Sequence, residues 1–388
     1  MSGISALLQT LARPEILALE PYSHAAWQPH LVRLHANEAP WRPAGDTTAA
    51  GLNLYPEPIA HELGRRLAAL YEVDPSQLLV TRGSDEAIDL LSRIFLRAGR
   101  DAVLQTPPTF GMYKVAARIQ GAQVIDAPLL REQDWRLDPA RLLAAWVPEA
   151  RLVYLCSPNN PTGNRLDDAA LLQVCEALAG KAIVAMDEAY IEWSGAASFT
   201  RFLARHPHLV ILRTLSKAHA LAGARCGALI AHPDIISLAA RVIPPYAISQ
   251  GTIESVLRAL EPAALTVSRE RLASLLGERR RLAEGLAAAH EKGIEDHDYV
   301  RVFNDYSEFV VRAKLSPSVR PDQLVIYHAW EPYQHPNWQS QDRLLVGPPK
   351  GLHFAGGYRH LEYSLWNWAP SQSDRQTNVS YEKAAFQG

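Results

Sequence analysis

Short apolar runs alternate with amphipathic stretches from about residue 31 to about residue 260. That rhythm predicts βα units built around a mainly parallel sheet. The run Leu78–Thr81 (LLVT) reads as a strand and leads straight into GSDEAIDLLSRIFL, where Ile88, Leu91 and Phe95 recur at helical spacing and Ser84 is placed to cap the helix. Further strands are predicted at residues 102–105, 151–156, 182–187 and 209–213, most with Gly, Pro, Asn or Ser close by, where ligand-facing loops can start. From Ser268 the stretch SRERLASLLGERRRLAEGLAAAH carries one long Ala- and Arg-rich helical pattern. The character of the chain then changes across residues 289–293. Beyond that point DYVRVFNDYSEFVVRAKLS alternates like the strands of a β-hairpin, and Trp330, Trp338, Trp366 and Trp368 crowd the last quarter. Pro332, Pro336, Pro348, Pro349 and Pro370, with the Gly356-Gly357 pair, break the remainder into loops. The expected organisation is an N-terminal arm (1–30), a large α/β domain (31–260), a connecting helix (261–290) and a β-rich segment (291–388).

Composition narrows the function classes. Among 388 residues, 39 Lys and Arg nearly balance 41 Asp and Glu, a formal charge of −2, which argues against nucleic acid or an anionic membrane as the main partner. With 48% hydrophobic and 21% charged residues, the chain can bury large cores and is not disordered in bulk. No apolar run approaches the ~20 residues that span a bilayer, and MSGISALLQTLARPEIL lacks the parts of a signal peptide, so a cytoplasmic location is expected. Cys156, Cys175 and Cys226 are widely spaced with no CxxC pair, so neither a disulfide framework nor a cysteine metal site is expected.

The chemistry concentrates before residue 230. In the segment TLSKAHALAGARCG, Lys217 follows a strand, with Thr214 and Ser216 before it and Arg225 eight residues after it. These are the parts needed to hold an aldehyde cofactor with a phosphate tail: an amine to bond the aldehyde, hydroxyls and a guanidinium for the phosphate. An isolated Ser-Lys pair is ordinarily a solvated lysine at a helix start; the surrounding residues change that reading. Asp187, in DEAY, ends an apolar strand, where a carboxylate is costly unless paired, and the pyridinium nitrogen of pyridoxal 5′-phosphate (PLP) would pair with it. Tyr190 and, from the rigid turn SPNNPTG, Asn160 can reach the ring oxygen. Backbone N–H groups around Ser84 and Asp85 suit a phosphate, and Phe110 in PPTFGMY offers a ring for stacking. A strand-end salt bridge, a structural turn, a bare helix cap and a core aromatic are the simpler readings of each piece taken alone.

Together SPNNPTG, DEAYIEW, RTLSKAHALAGARCG and NLYPEP resemble the fold-type-I PLP aminotransferases, in particular the histidinol-phosphate aminotransferase branch, from about residue 21 to about residue 289. The resemblance implies PLP as cofactor, Lys217 as the Schiff-base lysine and acid/base group, Asp187 as pyridinium partner, and Tyr190 and Asn160 as ring-oxygen contacts. It implies that Ser84, Asp85, Ser216 and Arg225 meet the phosphate, with Phe110 standing where the family usually has Tyr. Tyr55 in NLYPEP resembles a residue that reaches the partner subunit's phosphate, which implies a homodimer, while Asn37 and Tyr22 resemble substrate-side residues. The implied reaction moves an amino group from histidinol phosphate, or a similar imidazole or aromatic amine, to 2-oxoglutarate, within histidine biosynthesis. A PLP decarboxylase of the phosphothreonine type and a fusion that binds PLP or a pterin nucleotide without turnover are the alternatives.

The tail departs from that family. Residues from about 292, including YHAWE and AGGYRHL with His328, His353 and His360, resemble instead the C-terminal end of the molybdopterin-dinucleotide-binding domain of dimethyl-sulfoxide-reductase-type enzymes, closest to nitrate reductase and ethylbenzene dehydrogenase. Arg343, in RLLVG, repeats the spacing of the aminotransferases' substrate-binding arginine, but its flanking residues fit the molybdenum family better.

Overall fold

The computed structural model describes residues 3–22, 33, 36–291, 293–295, 298–303, 308–312 and 380–383. The chain divides into two compact units, Met1–Leu272 and Ala273–Gly388.

The first unit is organised by a sheet of seven strands: β1 (Leu78–Thr81), β2 (Ala102–Gln105), β3 (Gln123–Asp126), β4 (Ala150–Cys156), β5 (Ile183–Asp187), β6 (Leu209–Thr214) and β7 (Gly227–Ala231), in the order β1-β7-β6-β5-β4-β2-β3. Pairings from β3 through β6 are parallel, while β7 runs antiparallel to both β6 and β1. The reversal follows from the connection. Residues 215–226 form a loop with no crossover helix, so the chain returns beside β6 in the opposite sense. The sequence pattern marks the other strands of the central sheet but not β3 or β7.

Helices α1 (Gly3–Leu11), α2 (Pro14–Leu17), α3 (His61–Leu70), α4 (Gly83–Phe95), α5 (Met112–Ile119), α6 (Pro139–Ala145), α7 (Asp168–Ala177), α8 (Pro233–Val242) and α9 (Gln250–Ala259) surround the sheet, and α10 spans Pro262–Glu291. Strand residues alternate between two cores. Val153, Leu155, Val184, Met186 and Ile211 join Leu67 of α3 and Val174 of α7 on one face. Leu152, Tyr154, Ile183, Ala185 and Leu212 join Ile88 and Leu91 of α4, Tyr113 of α5 and Ile235 of α8 on the other. Burial on both faces explains why β2, β4, β5 and β6 read as apolar runs; β3, at the sheet edge, is exposed at both ends.

Helix starts are capped where a side chain can reach the free N–H groups. Asp138 accepts from Ala140 N–H at 3.0 Å before α6, Asp167 from Ala170 N–H at 3.0 Å before α7, and Ser249 from Thr252 N–H at 3.2 Å before α9. At α4 the expected Ser84 cap is not found: Arg82 is the boundary residue, and Ser84 lies inside the first turn. Glu86 reaches back instead, accepting the Arg82 N–H at 2.7 Å and pairing with its guanidinium. That leaves the hydroxyl and N–H of Ser84 free of a capping duty.

The second unit holds β8 (Tyr299–Phe303) and β9 (Glu308–Arg312) as an antiparallel pair, in line with the alternation in the sequence, and β10 (Ser380–Lys383) adds to the far side of β8. Most of the segment likened to a molybdopterin domain, with His328, Arg343, His353 and His360, lies outside the described residues. No helix among the described residues is long and apolar enough to cross a membrane.

One polar knot is buried in the first unit. Arg213, 7% exposed, donates to Glu192 at 2.7 Å, lies 3.5 Å from the carboxylate of Glu188, and covers the ring of Tyr71 at 4.3 Å. Glu188 also accepts from the Ser198 hydroxyl at 2.6 Å and the Phe199 N–H at 2.7 Å. Burial pushes the Glu188 carboxyl up, and Arg213 opposes that push. Removing the cation would strand a buried carboxylate, so Arg213→Ala is expected to cost about 3 kcal/mol of stability. Urea unfolding measures it, with Arg213→Ala/Glu188→Gln expected to recover part of the loss.

Candidate active site

A cleft of about 160 Å³ opens at the carboxyl ends of β4, β5 and β6, beside the first turn of α4. Ligands of open α/β sheets bind at this end of the strands. Ten of the sequence-predicted residues line it: Ser84, Asp85, Phe110, Asn160 and Asp187 with Tyr190, Thr214, Ser216, Lys217 and Arg225.

Asp187 closes β5 and is 2% exposed. Its Oδ2 accepts from the Tyr113 hydroxyl at 2.7 Å, and its Oδ1 accepts from the Ala189 N–H at 3.0 Å. Burial pushes the carboxyl above its usual range, while the Tyr113 and Ala189 donors pull it back toward the charged form. Tyr113 is fully buried, stacked on Tyr154 at 4.5 Å and edge-on to Phe110 at 5.7 Å. Tyr113 is not among the residues expected at the site from the sequence. Its signal was available: it is the second aromatic of PPTFGMY, three residues after Phe110, on the buried stripe of α5.

Within SPNNPTG the two asparagines divide the work. Asn159, 3% exposed, donates to Pro108 O at 2.8 Å and to the Thr162 hydroxyl at 2.7 Å, and accepts from the Thr109 hydroxyl at 3.1 Å. These bonds tie the turn to the loop that carries Phe110. Asn160 is thereby left at the cleft wall.

The opposite end of the cleft is a polar cradle. Arg225 donates to Asp85 at 2.9 Å and to the Ser216 hydroxyl at 3.3 Å; Thr214 donates its hydroxyl to Ser216 Oγ at 3.0 Å and accepts the Ser216 N–H at 3.2 Å. Backbone is packed too tightly here for side chains. A Cβ on Gly83, whose φ is +75°, would come within 2.7 Å of the Arg225 guanidinium, and one on Gly227 within 2.7 Å of both the Arg213 carbonyl oxygen and the Gly83 carbonyl carbon. Lys217 lines the same cleft, its Nζ 5.5 Å from the centre of the Tyr190 ring.

Three sequence-predicted residues are not brought into this cleft. Tyr55 is 49% exposed, lies against Tyr246 at 4.7 Å, and lines a separate cavity of about 190 Å³ with Arg33, Glu57 and Gln250. Asn37 is exposed with φ +52°, and Tyr22 is 70% exposed. The HANEAP and NLYPEP segments are nevertheless joined, because Glu38 accepts the Tyr55 N–H at 2.7 Å and pairs with Arg33. Among the described residues no group of His, Cys, Asp and Glu is arranged to hold a metal ion.

An amine, a buried carboxylate and a cationic, hydroxyl-rich cradle arranged around one cleft are the donor set of a PLP enzyme. A family model described as aminotransferase class I and II matches residues 29–325, and the chain belongs to that family. The match continues past residue 289, where the sequence-based likeness was set to end, into the first part of the tail likened to the molybdenum enzymes. Histidinol-phosphate aminotransferase from Stenotrophomonas maltophilia is 46% identical over 280 residues, 71% of this chain and 77% of the relative. The enzyme of that name from Aeromonas hydrophila is 41% identical over 309 residues, 78% and 83% of the two chains. The solved histidinol-phosphate aminotransferase from Sinorhizobium meliloti, in complex with pyridoxal 5′-phosphate, superposes with a TM-score of 0.56 at 26% identity, covering 62% of this chain and 64% of that one. The fold is thus that of the fold-type-I PLP aminotransferases, with the mainly parallel sheet expected from the sequence, and PLP is the cofactor indicated.

The close backbone packing gives a direct test of the cradle. Gly227→Ala is expected to cost about 1–3 kcal/mol through overpacking and to weaken PLP binding by displacing the first turn of α4. Gly111→Ala, where a Cβ meets nothing within 4 Å, is expected to change neither thermal unfolding nor the PLP titration.

Proposed function

We propose that this chain transfers the amino group of histidinol phosphate, or of a closely similar imidazole or aromatic amine, to 2-oxoglutarate, as a step of histidine biosynthesis. The observation that carries the reading is the single cleft in which Lys217, buried Asp187 and the Arg225–Ser216 cradle meet, in a chain 46% and 41% identical to histidinol-phosphate aminotransferases. PLP, when bound, supplies an electron sink for the charge left on a carbon that loses its proton.

The protein's own groups do the rest. Lys217 Nζ would take up the proton that leaves the amino-bearing carbon of the donor and later give it back. Asp187 would hold the ring nitrogen protonated, and Tyr190 and Asn160 would donate to the ring oxygen. Arg225, Ser216, Thr214 and the N–H groups at Ser84 and Asp85 anchor the phosphate at the positive end of α4. Phe110 covers one ring face and excludes water, with the hydroxyl of the more usual tyrosine missing.

The reading extends to assembly. The exposed Tyr55 supports a homodimer in which this residue serves the partner's cleft, with Asn37 and Tyr22 on the substrate side. The reading includes a cytoplasmic location, in keeping with small-molecule substrates. The relatives' shared name favours amino transfer over the decarboxylase and over a fusion without turnover.

Purified protein loaded with PLP is expected to form glutamate from 2-oxoglutarate only when histidinol phosphate is supplied. Lys217→Ala is expected to lower that rate at least about 100-fold and to abolish the PLP mass adduct trapped by borohydride. Carbon dioxide released from a phosphorylated amino acid without any 2-oxo acid would support the decarboxylase. PLP binding with neither product would support the inactive fusion.

A further inference from the structure

Asp187 has one protein donor on each carboxylate oxygen: the Ala189 N–H on Oδ1 at 3.0 Å and the Tyr113 hydroxyl on Oδ2 at 2.7 Å. The first comes from the backbone two residues on and is present in any sequence. The second comes from another element, α5, 74 residues away in the chain, and is the one a side chain decides.

We propose that Tyr113 is a positioning residue of the PLP site, whose hydroxyl keeps Asp187 ionised and aimed at the ring nitrogen. This rests on the reading of Asp187 as pyridinium partner. Three observations carry it. Asp187 is buried, so without donors its charged form is costly, and a neutral carboxyl offers a ring N–H no countercharge. The hydroxyl of Tyr113 is locked in place, because its fully buried ring is sandwiched by a parallel stack on Tyr154, only 3° off coplanar, and by the edge contact to Phe110. Burial also pushes the Tyr113 hydroxyl well above its usual range, so it keeps its proton and acts as a donor throughout the working pH range.

The groups around the carboxylate leave that task to Tyr113. Cys156, whose thiol burial pushes up to about 12, keeps its own proton, and its Sγ meets Pro158 O at 3.4 Å. Asp85 disfavours charge on Asp187, while Lys217 favours it from a distance. Tyr113 thus couples Phe110 in the cleft wall to the carboxylate of Asp187.

The test compares PLP with 1-deaza-PLP, in which the ring nitrogen is replaced by carbon, titrated into the full-length apoprotein. Wild-type protein is expected to bind PLP the more tightly. Tyr113→Phe, which removes one oxygen, is expected to weaken PLP binding about tenfold or more, the effect of one hydrogen bond to a charged group, and to leave 1-deaza-PLP binding nearly unchanged. Tyr113→His, which keeps a ring and an N–H donor, is expected to retain part of the preference for PLP. Equal weakening of both cofactors by Tyr113→Phe, or a His variant indistinguishable from Phe in its preference, assigns Tyr113 a purely structural role and overturns the proposal. Wild-type protein that binds the two cofactors equally overturns the reading of Asp187 itself, and the proposal with it.

Discussion

A carboxylate set at the end of a buried strand is the constraint around which this site is arranged. Asp187 is 2% exposed, and an isolated charge in such a place would neutralise itself rather than persist. Its environment holds it back with a donor on each oxygen while leaving lone pairs for a cationic ligand. The arrangement is therefore incomplete by itself and suited to a ring that brings its own positive nitrogen. The donors in turn fix the placement of α5, the Tyr113–Tyr154 stack and the loop of Phe110, so a demand made by one carboxylate spreads through much of one core.

The cradle obeys a different constraint, that of space. β7 returns antiparallel along β6, which presses Gly227 against both the Arg213 carbonyl and Gly83 at the start of α4. Three pieces of backbone meet with no room for a Cβ, and the N–H groups of α4 are brought to the mouth of the cleft beside Arg225. The orientation of the cradle's polar groups thus comes from backbone packing, which solvent and salt do not screen.

Much of this was legible in the sequence, and the parts that were not share a cause. Apolar runs gave β1, β2, β4, β5 and β6 because burial on both faces leaves a local signature, whereas β3 at the sheet edge is exposed at both ends and leaves none. Most of the cleft residues were legible because they end such a run or lie in the segment that follows it. β7 was missed because GALIA follows an Ala-rich loop and is mostly small residues, a weak local signal that becomes a strand through its neighbours on either side. Tyr113 and Asn159 were missed for a related reason. Their roles are defined by partners at Asp187 and at Pro108 and Thr109, far away in sequence. Ser84 was misread because the Glu86 carboxylate satisfies the start of α4 instead, and two residues with overlapping capping ability cannot be ranked from local pattern alone. The tail was legible only as a change of character: its hairpin β8–β9 emerges, and the family match crosses the compositional boundary to residue 325.

Strand periodicity explains how the site can be both stable and reactive. Successive side chains of a strand point to opposite faces, and the sheet uses this twice. Asp187 follows Ile183 and Ala185 onto the face of Tyr113, whereas Glu188 turns toward Arg213, Tyr71 and Phe199. Thr214 follows Val210 and Leu212 toward the cleft, whereas Arg213 shares the face of Leu209 and Ile211. Each adjacent pair thus gives one residue to the chemistry and one to the knot that holds β5 and β6 at a fixed register. Because the two carboxylates lie on opposite faces, Arg213 can neutralise Glu188 without competing for Asp187. A one-residue slip of β5 would turn Asp187 toward the knot, and one of β6 would turn Arg213 toward the cleft, so the site depends on the register of these two strands.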